Sequence, residues 1–251
     1  MFLNSVIRFE VFLAFILFSK SLYANELDNK IKDFILKNPK IIIESLNNFE
    51  KQKENEKKAN KKKLIKENYS AIFDTSTLLY EGDKQSKNII VEFFDYNCSY
   101  CKKAHQDLKK TLNETKDVKI IYKNFPILSE NSLKLSKYAI IISEIDQQKF
   151  SDFHNYIMNF KGQPKDNDII ELIKKLDLNI NLIESRINEK NIKKKLNKDI
   201  ELANKLGLRG TPAFVIKDEL IFGYIEYEEI LIAIERFKAL IQNLKEKLQS
   251  F

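Results

Sequence analysis

The chain has 251 residues, and the hydrophobic fraction of 43% is large enough to build a core, which excludes a wholly disordered protein. Its two cysteines are too few for a disulfide-stapled miniprotein. The formal net charge is +7, but the basic residues are almost all Lys and are interleaved with 36 acidic residues. Because Arg is the side chain preferred for reading bases and phosphates, we expect a solvated basic surface and no nucleic-acid partner.

The N-terminus has the pattern of an export signal. Arg8 precedes the apolar run 11–18, and Ala24 offers a small residue for cleavage. The run is far shorter than the roughly 20 residues that span a bilayer. Glu10 and Leu22 depart from the usual signal, so an uncleaved anchor stays open. We expect residues 1–24 to be removed and the mature protein to be periplasmic, where its thiols meet oxidants.

Residues 25–68 are expected to form a helical extension. Apolar residues recur with helical spacing over 27–35 and again over 42–49, with a restart at Asn38 and Pro39. Residues 50–63 are almost entirely polar, which indicates a solvated helical spacer. The apolar stretch 27–49 needs a partner, either the main domain or copies of itself. We favour self-association into a homo-oligomer, because the spacer carries this stretch away from the body.

The centre of the chain reads as strand, turn, helix and strand. The run 88–96 is nearly continuously apolar, as in a strand buried on both faces. A helix over 101–115 and a second strand over 118–125 follow, which predicts a parallel pair. Helical patterns follow over 131–160, 167–176 and 190–206, and Gly207 is a good helix stop.

Two short strands, 213–216 and 220–222, predict a hairpin that turns at 217–219, and a last helix is expected at about 226–247. The fold class is therefore α/β.

The only cysteines form one C-x-x-C motif, Cys98 and Cys101, where a buried strand meets a helix. The N–H groups and dipole at a helix start favour thiolate, so the pKa of Cys98 should be lowered. Cys101 lies within reach on the first helical turn and can release a mixed disulfide held by Cys98. The spacing predicts Cys98 as the attacking thiol and Cys101 as the resolving thiol, with no cofactor.

Three other interpretations compete. A structural disulfide is disfavoured because so short a loop constrains the unfolded chain little. A metal site needs more ligands, which His105 and His154 would have to supply. A pair of inert thiols suits an exported chain poorly. The alternative that we keep is a copper-binding or surface-exposed non-enzymatic module that uses the same two thiols.

Two segments resemble those of a known family. Glu92–Cys101 resembles the active-site segment of the DsbA family of thioredoxin-fold oxidoreductases, and Gly210–Val215 resembles its cis-proline loop. The resemblance covers about 78–247. It implies a thioredoxin-like domain at 69–251 with a helical insertion at about 129–207. Asn38–Glu44 resembles the N-terminal oligomerisation segment of ScsC-type and Com1-type relatives.

The resemblance also implies residue roles. Pro212 matches the cis-proline, and Thr211 before it offers backbone hydrogen bonds to an extended client. Glu92 matches a buried acid with a raised pKa that relays the proton of Cys101. Strong oxidants of the family carry His between the cysteines, whereas this chain has Ser99 and Tyr100, which implies a milder oxidant. Whether Lys102 and Lys103 compensate is left open by the sequence.

Two enzymatic functions follow, both acting on unfolded or misfolded exported proteins. The first is a monomeric disulfide oxidase, recharged by a quinone-linked membrane oxidase. The second is an isomerase or reductase, joined into an oligomer through 27–49 and kept reduced by a membrane reductase. Thr211 and the extension favour the second.

Overall fold

The computed structural model describes residues 26–74, 76 and 78–235. The chain divides into two compact units, Met1–Lys58 and Ala59–Phe251. The expected signal segment with its cleavage after Ala24 lies outside the described residues, and so does the expected last helix beyond residue 235.

The described part of the first unit is helical. Helix α1 spans 26–37, and helix α2, Pro39–Glu67, begins there after a break at Asn38. The apolar side chains of both predicted stripes are 40% to 59% exposed, namely Leu27, Ile31, Phe34, Ile35, Ile42, Leu46 and Phe49. The segment 50–63 is helical, and its side chains are exposed except that of Lys61, which is partly buried.

The second unit contains a mixed sheet and many helices. Its helices after α2 are α3 Tyr69–Ile72, α4 Ser99–Glu114, α5 Glu130–Ile145, α6 Gln147–Asn159, α7 Asp166–Lys175, α8 Ile180–Arg186, α9 Lys190–Lys205 and α10 227–235. Its strands are β1 Tyr80–Gly82, β2 Ile89–Phe94, β3 Lys119–Asn124, β4 Ala213–Ile216 and β5 Glu219–Phe222. Neither β1 nor α8 is predicted from the sequence.

The five strands form one sheet in the order β1-β3-β2-β4-β5. The β2–β3 pair is parallel, as predicted, and the other three pairs are antiparallel. The turn of the predicted hairpin is formed by Lys217 and Asp218, between β4 and β5. These findings confirm the α/β class.

Both faces of the sheet are buried under helices. Alternate residues of a strand point to opposite faces, so Ile90 and Phe94 join the core formed with α4 to α8, whereas Val91 and Phe93 join the core on the other face. That second core takes Leu202, Ala203 and Leu206 from α9 and Ile65 from the last turns of α2. The central strand β2 is therefore enclosed on both sides and gives the residues that follow it a rigid base.

Candidate active site

Strand pairing brings the two sequence motifs together. The C-x-x-C motif follows β2, the proline loop precedes β4, and β2 and β4 are antiparallel neighbours with Phe93 opposite Ala213. The end of one strand therefore meets the start of the other. The Cys98 sulfur lies 3.2 Å from the carbonyl oxygen of Thr211, and the Thr211–Pro212 peptide is cis, as the resemblance implies.

Cys98 is the N-cap of α4. Its backbone is extended, and its sulfur accepts a hydrogen bond of 3.4 Å from the backbone N–H of Cys101. Both cysteines are free thiols, with Cys98 7% exposed and Cys101 fully buried. The sulfur of Cys98 is thus the one within reach of a reactant, and Cys101 lies one helical turn behind it.

The two thiols differ in acidity. Hydrogen bonding from the Cys101 thiol, against the opposing effect of burial, lowers the pKa of Cys98 to about 6, and the contact with Thr211 and the N–H groups of Cys101 and Tyr100 contribute. Burial raises the pKa of Cys101 well above its usual range, and the neighbouring Cys98 and Glu92 raise it further. At neutral pH the arrangement therefore favours a thiolate at Cys98 and a thiol at Cys101.

Glu92 lies on β2, on the same face of the sheet as Ile90 and Phe94. Its side chain is fully buried, and neither carboxylate oxygen has a hydrogen-bond partner among the described residues. Burial raises its pKa well above the usual range, and the nearby Cys98 and Glu81 add to the shift. The buried site near the Cys101 thiol therefore favours the protonated form of Glu92, because the carboxylate form loses its hydration there.

The sequence leaves open whether Lys102 and Lys103 stabilise the Cys98 thiolate, and the contacts of these residues in the structure decide this. Tyr100 projects to solvent at 61% exposure. The ammonium of Lys102 donates to the carbonyl oxygens of Phe160 and Gly162 at 2.7 and 2.5 Å, and that of Lys103 lies 4.1 Å from the centre of the Tyr224 ring. Both cations have other partners, so the low pKa of Cys98 arises from hydrogen bonds.

Two residues that are not predicted from the sequence hold the motif in place. The buried carboxylate of Asp95 accepts hydrogen bonds from the backbone N–H groups of Asn97, Ile127 and Leu128 at 2.8 to 3.0 Å. These bonds tie the loop before Cys98 to the loop after β3.

The side-chain amide of Asn97 continues this tie by donating to Ser129, Asn131 and Ser132 at the start of α5. An Asp and an Asn in the turn before a helix was the available signal, since both favour such turns.

The two histidines are core residues. Both are fully buried, and their ring centres are 5.2 Å apart. Burial lowers the pKa of His105 to about 4 and that of His154 to about 3, so both are neutral at pH 7. Within the described residues, no group of three or more His, Cys, Asp and Glu side chains is arranged to hold a metal ion. The histidines therefore do not complete a Cys2His2 set with the cysteines.

Comparison with known proteins identifies the family. A family model described as a DSBA-like thioredoxin domain matches residues 89–235, and the chain belongs to this family of thiol-disulfide oxidoreductases. The thioredoxin-like fold with its inserted helices is thereby confirmed. Among the described residues, no helix is long and apolar enough to cross a bilayer.

Curated relatives include two kinds of protein. The chain is 24% identical over 167 residues to disulfide bond formation protein D of Bacillus subtilis, which covers 62% of this chain and 74% of that one. It is 20% identical over 158 residues to the Na(+)/H(+) antiporter NhaA 1 of Salinispora arenicola, which covers 61% of this chain. In that case the chain spans only 24% of its relative's length.

Solved structures give the same assignment. The thiol-disulfide exchange protein alpha-DsbA2 from Wolbachia pipientis is 29% identical with a TM-score of 0.67, over 72% of this chain and 97% of that one. Proteus mirabilis ScsC in a transitional conformation is 26% identical with a TM-score of 0.63, over 86% of this chain and 97% of that one.

Proposed function

We propose that this protein is an exported thiol-disulfide oxidoreductase whose Cys98 exchanges disulfides with unfolded or misfolded proteins of the periplasm. The observation that carries the proposal is the pair of thiols with opposite pKa shifts beside the cis Thr211–Pro212 peptide. Export is inferred from the pattern of residues 1–24.

The reaction needs only the residues of this site. The Cys98 thiolate attacks one sulfur of a client disulfide, a sulfur–sulfur bond forms, and the other client sulfur leaves as a thiolate that takes up a proton. Cys101 then attacks the Cys98 sulfur, and the second client sulfur leaves. The client is thereby reduced, and Cys98 and Cys101 are oxidised to a disulfide. In the reverse direction the same steps oxidise a client dithiol.

Glu92 and Thr211 assist these steps. Cys101 must lose its proton to attack, and its raised pKa makes this loss difficult in the absence of a base. The ionised form of Glu92, which the raised pKa makes a stronger base than an ordinary carboxylate, accepts that proton and returns it in the reverse step. The backbone of Thr211, next to the reactive sulfur, aligns an extended client segment, and Pro212 holds this backbone in position.

Between the two directions we favour an isomerase or reductase that acts as a homo-oligomer joined through 27–49. The support is the row of exposed apolar side chains on α1 and α2, which an isolated helix pair leaves in water. Light scattering of the full-length protein tests this. The Ile42→Asp and Leu46→Asp double variant should lower the mass to that of a monomer, with Lys51→Asp as the control. A monomeric full-length protein contradicts this oligomeric form.

Thiol trapping in intact cells tests the direction of exchange. Alkylation of Cys98 and Cys101 before lysis should find mostly dithiol if a membrane reductase keeps the protein reduced. A mostly disulfide form would instead favour an oxidase recharged by a quinone-linked partner. Tight stoichiometric copper binding without any turnover of scrambled protein would contradict both directions and favour the copper-binding module.

A further inference from the structure

A groove of about 330 Å³ adjoins the proline loop, and Cys98 is not among the residues that line it. Its walls are the loop Arg209–Pro212 and the exposed end of β5 at Phe222, with Gly207 and Gly223 at its edges. Thr211 lines the groove, and its carbonyl oxygen lies 3.2 Å from the Cys98 sulfur. A client segment whose cysteine reaches Cys98 therefore runs past this groove.

The glycines that line the groove leave room for a peptide backbone. A Cβ atom built on Gly207, Gly210 or Gly223 would meet no heavy atom within 4 Å, so the space above these residues is open. Phe222 is 50% exposed and offers an aromatic face to an apolar side chain. These features provide room and apolar contact but no discrimination between clients.

The charge of the groove supplies the discrimination. Arg209 is exposed, and no hydrogen bond or ion pair of its guanidinium is found within the part of the chain that the structure describes. No acidic residue lines the groove. A second cation, the ammonium of Lys61, lies 4.4 Å from the centre of the Phe222 ring. The groove thus combines an aromatic ring with the guanidinium of Arg209, which has no partner among the described residues, and Lys61 adds a second positive charge beside it. The planar guanidinium can bind a carboxylate in a bidentate manner.

We infer that this groove selects clients, and that Arg209 binds the carboxylate of an acidic residue next to the cysteine that Cys98 engages. The occupant is an extended, cysteine-containing client segment with Asp or Glu within a few residues of its cysteine. The inference rests on the proposed function and specifies its substrate class. Arg209 is a specificity-determining residue, since it contacts the client away from the reacting sulfurs.

The test uses the full chain with Cys101→Ser, so that Cys98 is its one thiol. Short peptides carry a single cysteine as a 2-pyridyl disulfide and differ only in having Glu, Gln or Lys on both sides of it. The Cys98 thiolate bonds to the peptide sulfur, the bond to the pyridyl sulfur breaks, and the released thiopyridone is followed by absorbance. Each peptide's rate is divided by its rate with 2-mercaptoethanol, which removes its intrinsic reactivity. Alkylation by uncharged iodoacetamide likewise normalises each variant for the reactivity of Cys98 itself.

At low ionic strength we expect the Glu peptide to react about threefold faster than the Gln peptide, the size of an exposed ion pair. Arg209→Gln should abolish this ratio, Arg209→Lys should keep part of it, and Arg209→Glu should favour the Lys peptide. Added salt should reduce the preference. Lys194→Gln removes the same charge from an exposed position of α9 and should keep the Glu preference.

Equal normalised rates for the Glu and Gln peptides would overturn the inference and leave the proposed function standing. A Glu preference that survives Arg209→Gln would overturn it as well, because another residue would then be responsible. If Cys98 reacts with none of the peptides, the proposed function itself fails.

Discussion

The sulfur of Cys98 lies 3.2 Å from the carbonyl oxygen of Thr211, although the two residues are 113 positions apart in the chain. The antiparallel pairing of β2 with β4 produces this contact, because it aligns the end of one strand with the start of the other. Helices α5 to α9 are accommodated between the two motifs without separating them. The sulfur that reacts and the backbone that aligns a client are thus fixed by the same pair of central strands.

The acidity of Cys98 gives the first prediction. Alkylation of the reduced protein by iodoacetamide should rise with pH, with a midpoint near the pKa of about 6, because only the thiolate reacts. Mass spectrometry should find the modification on Cys98, since Cys101 is buried and its pKa is raised. A midpoint at the usual thiol pKa of about 8.5 would contradict the proposed hydrogen-bonded thiolate.

Removing the Cys101 thiol tests the cause of that acidity. The hydrogen bond from Cys101 is the largest contribution to the low pKa of Cys98. We therefore expect Cys101→Ala to raise the midpoint of Cys98 alkylation, and Cys101→Ser to raise it less, because the hydroxyl still donates. An unchanged midpoint in Cys101→Ala would assign the acidity to the backbone N–H groups instead.

The buried acid should act on the second step of exchange. Glu92→Gln keeps the size of the side chain but cannot accept the proton of Cys101. Starting from a mixed disulfide formed on Cys98, release of the client at pH 7 should slow on the order of 100-fold. Glu171→Gln changes an exposed carboxylate of α7 in the same way and is the control. Equal release rates in the two variants would remove Glu92 from the proton transfer.

Glu92 should also make stability depend on pH. Burial raises its folded-state pKa above the unfolded value, so the folded protein holds a proton that the unfolded chain releases. The free energy of unfolding is therefore unaffected by this group below the unfolded pKa and falls as pH rises from there through the folded pKa. The stability of Glu92→Gln minus that of the wild-type protein, both as free energies of unfolding, should therefore increase between pH 5 and pH 8. Urea unfolding of the reduced proteins measures it, and a difference that does not change with pH would contradict the raised pKa.

The tie made by Asp95 predicts a large loss of stability. Asp95→Ala leaves three backbone N–H groups without their acceptor, and each unsatisfied group costs about 1–3 kcal/mol where it stays buried. We expect a loss of about 3 kcal/mol in urea unfolding. Asp146→Ala removes a carboxylate that accepts from two N–H groups at the start of α6 and should cost about 1 kcal/mol. Equal losses would mean that the Asp95 bonds add nothing beyond an ordinary cap.

The sequence predicts the parts of this site that local patterns encode. The buried run of β2 ending in C-x-x-C specifies a thiol at a helix start, and the apolar pattern of β4 marks the strand beside Pro212. The sequence does not reveal that Asp95 and Asn97 connect the motif to the loop after β3 and to the start of α5. Their partners in those segments lie 32 to 35 residues away along the chain.

Elements of two kinds were also missed. Strand β1 has three residues, too few to show an alternating pattern, and α8 has seven, about two turns. Their identity as strand and helix comes from tertiary contacts, such as the pairing of Tyr80 with Ile121, rather than from local periodicity.

The most direct test of the central role of Cys98 is to capture its covalent intermediate. The full chain with Cys101→Ser, in its reduced form, should accumulate mixed disulfides with a scrambled client, because Cys98 attacks a client disulfide and no second thiol releases the adduct. The adducts should be sensitive to reductant, and their linked peptide should contain Cys98. The variant that also carries Cys98→Ser should form none. Absence of adducts in the first variant, or their persistence in the second, would contradict the assignment of Cys98 as the exchanging thiol.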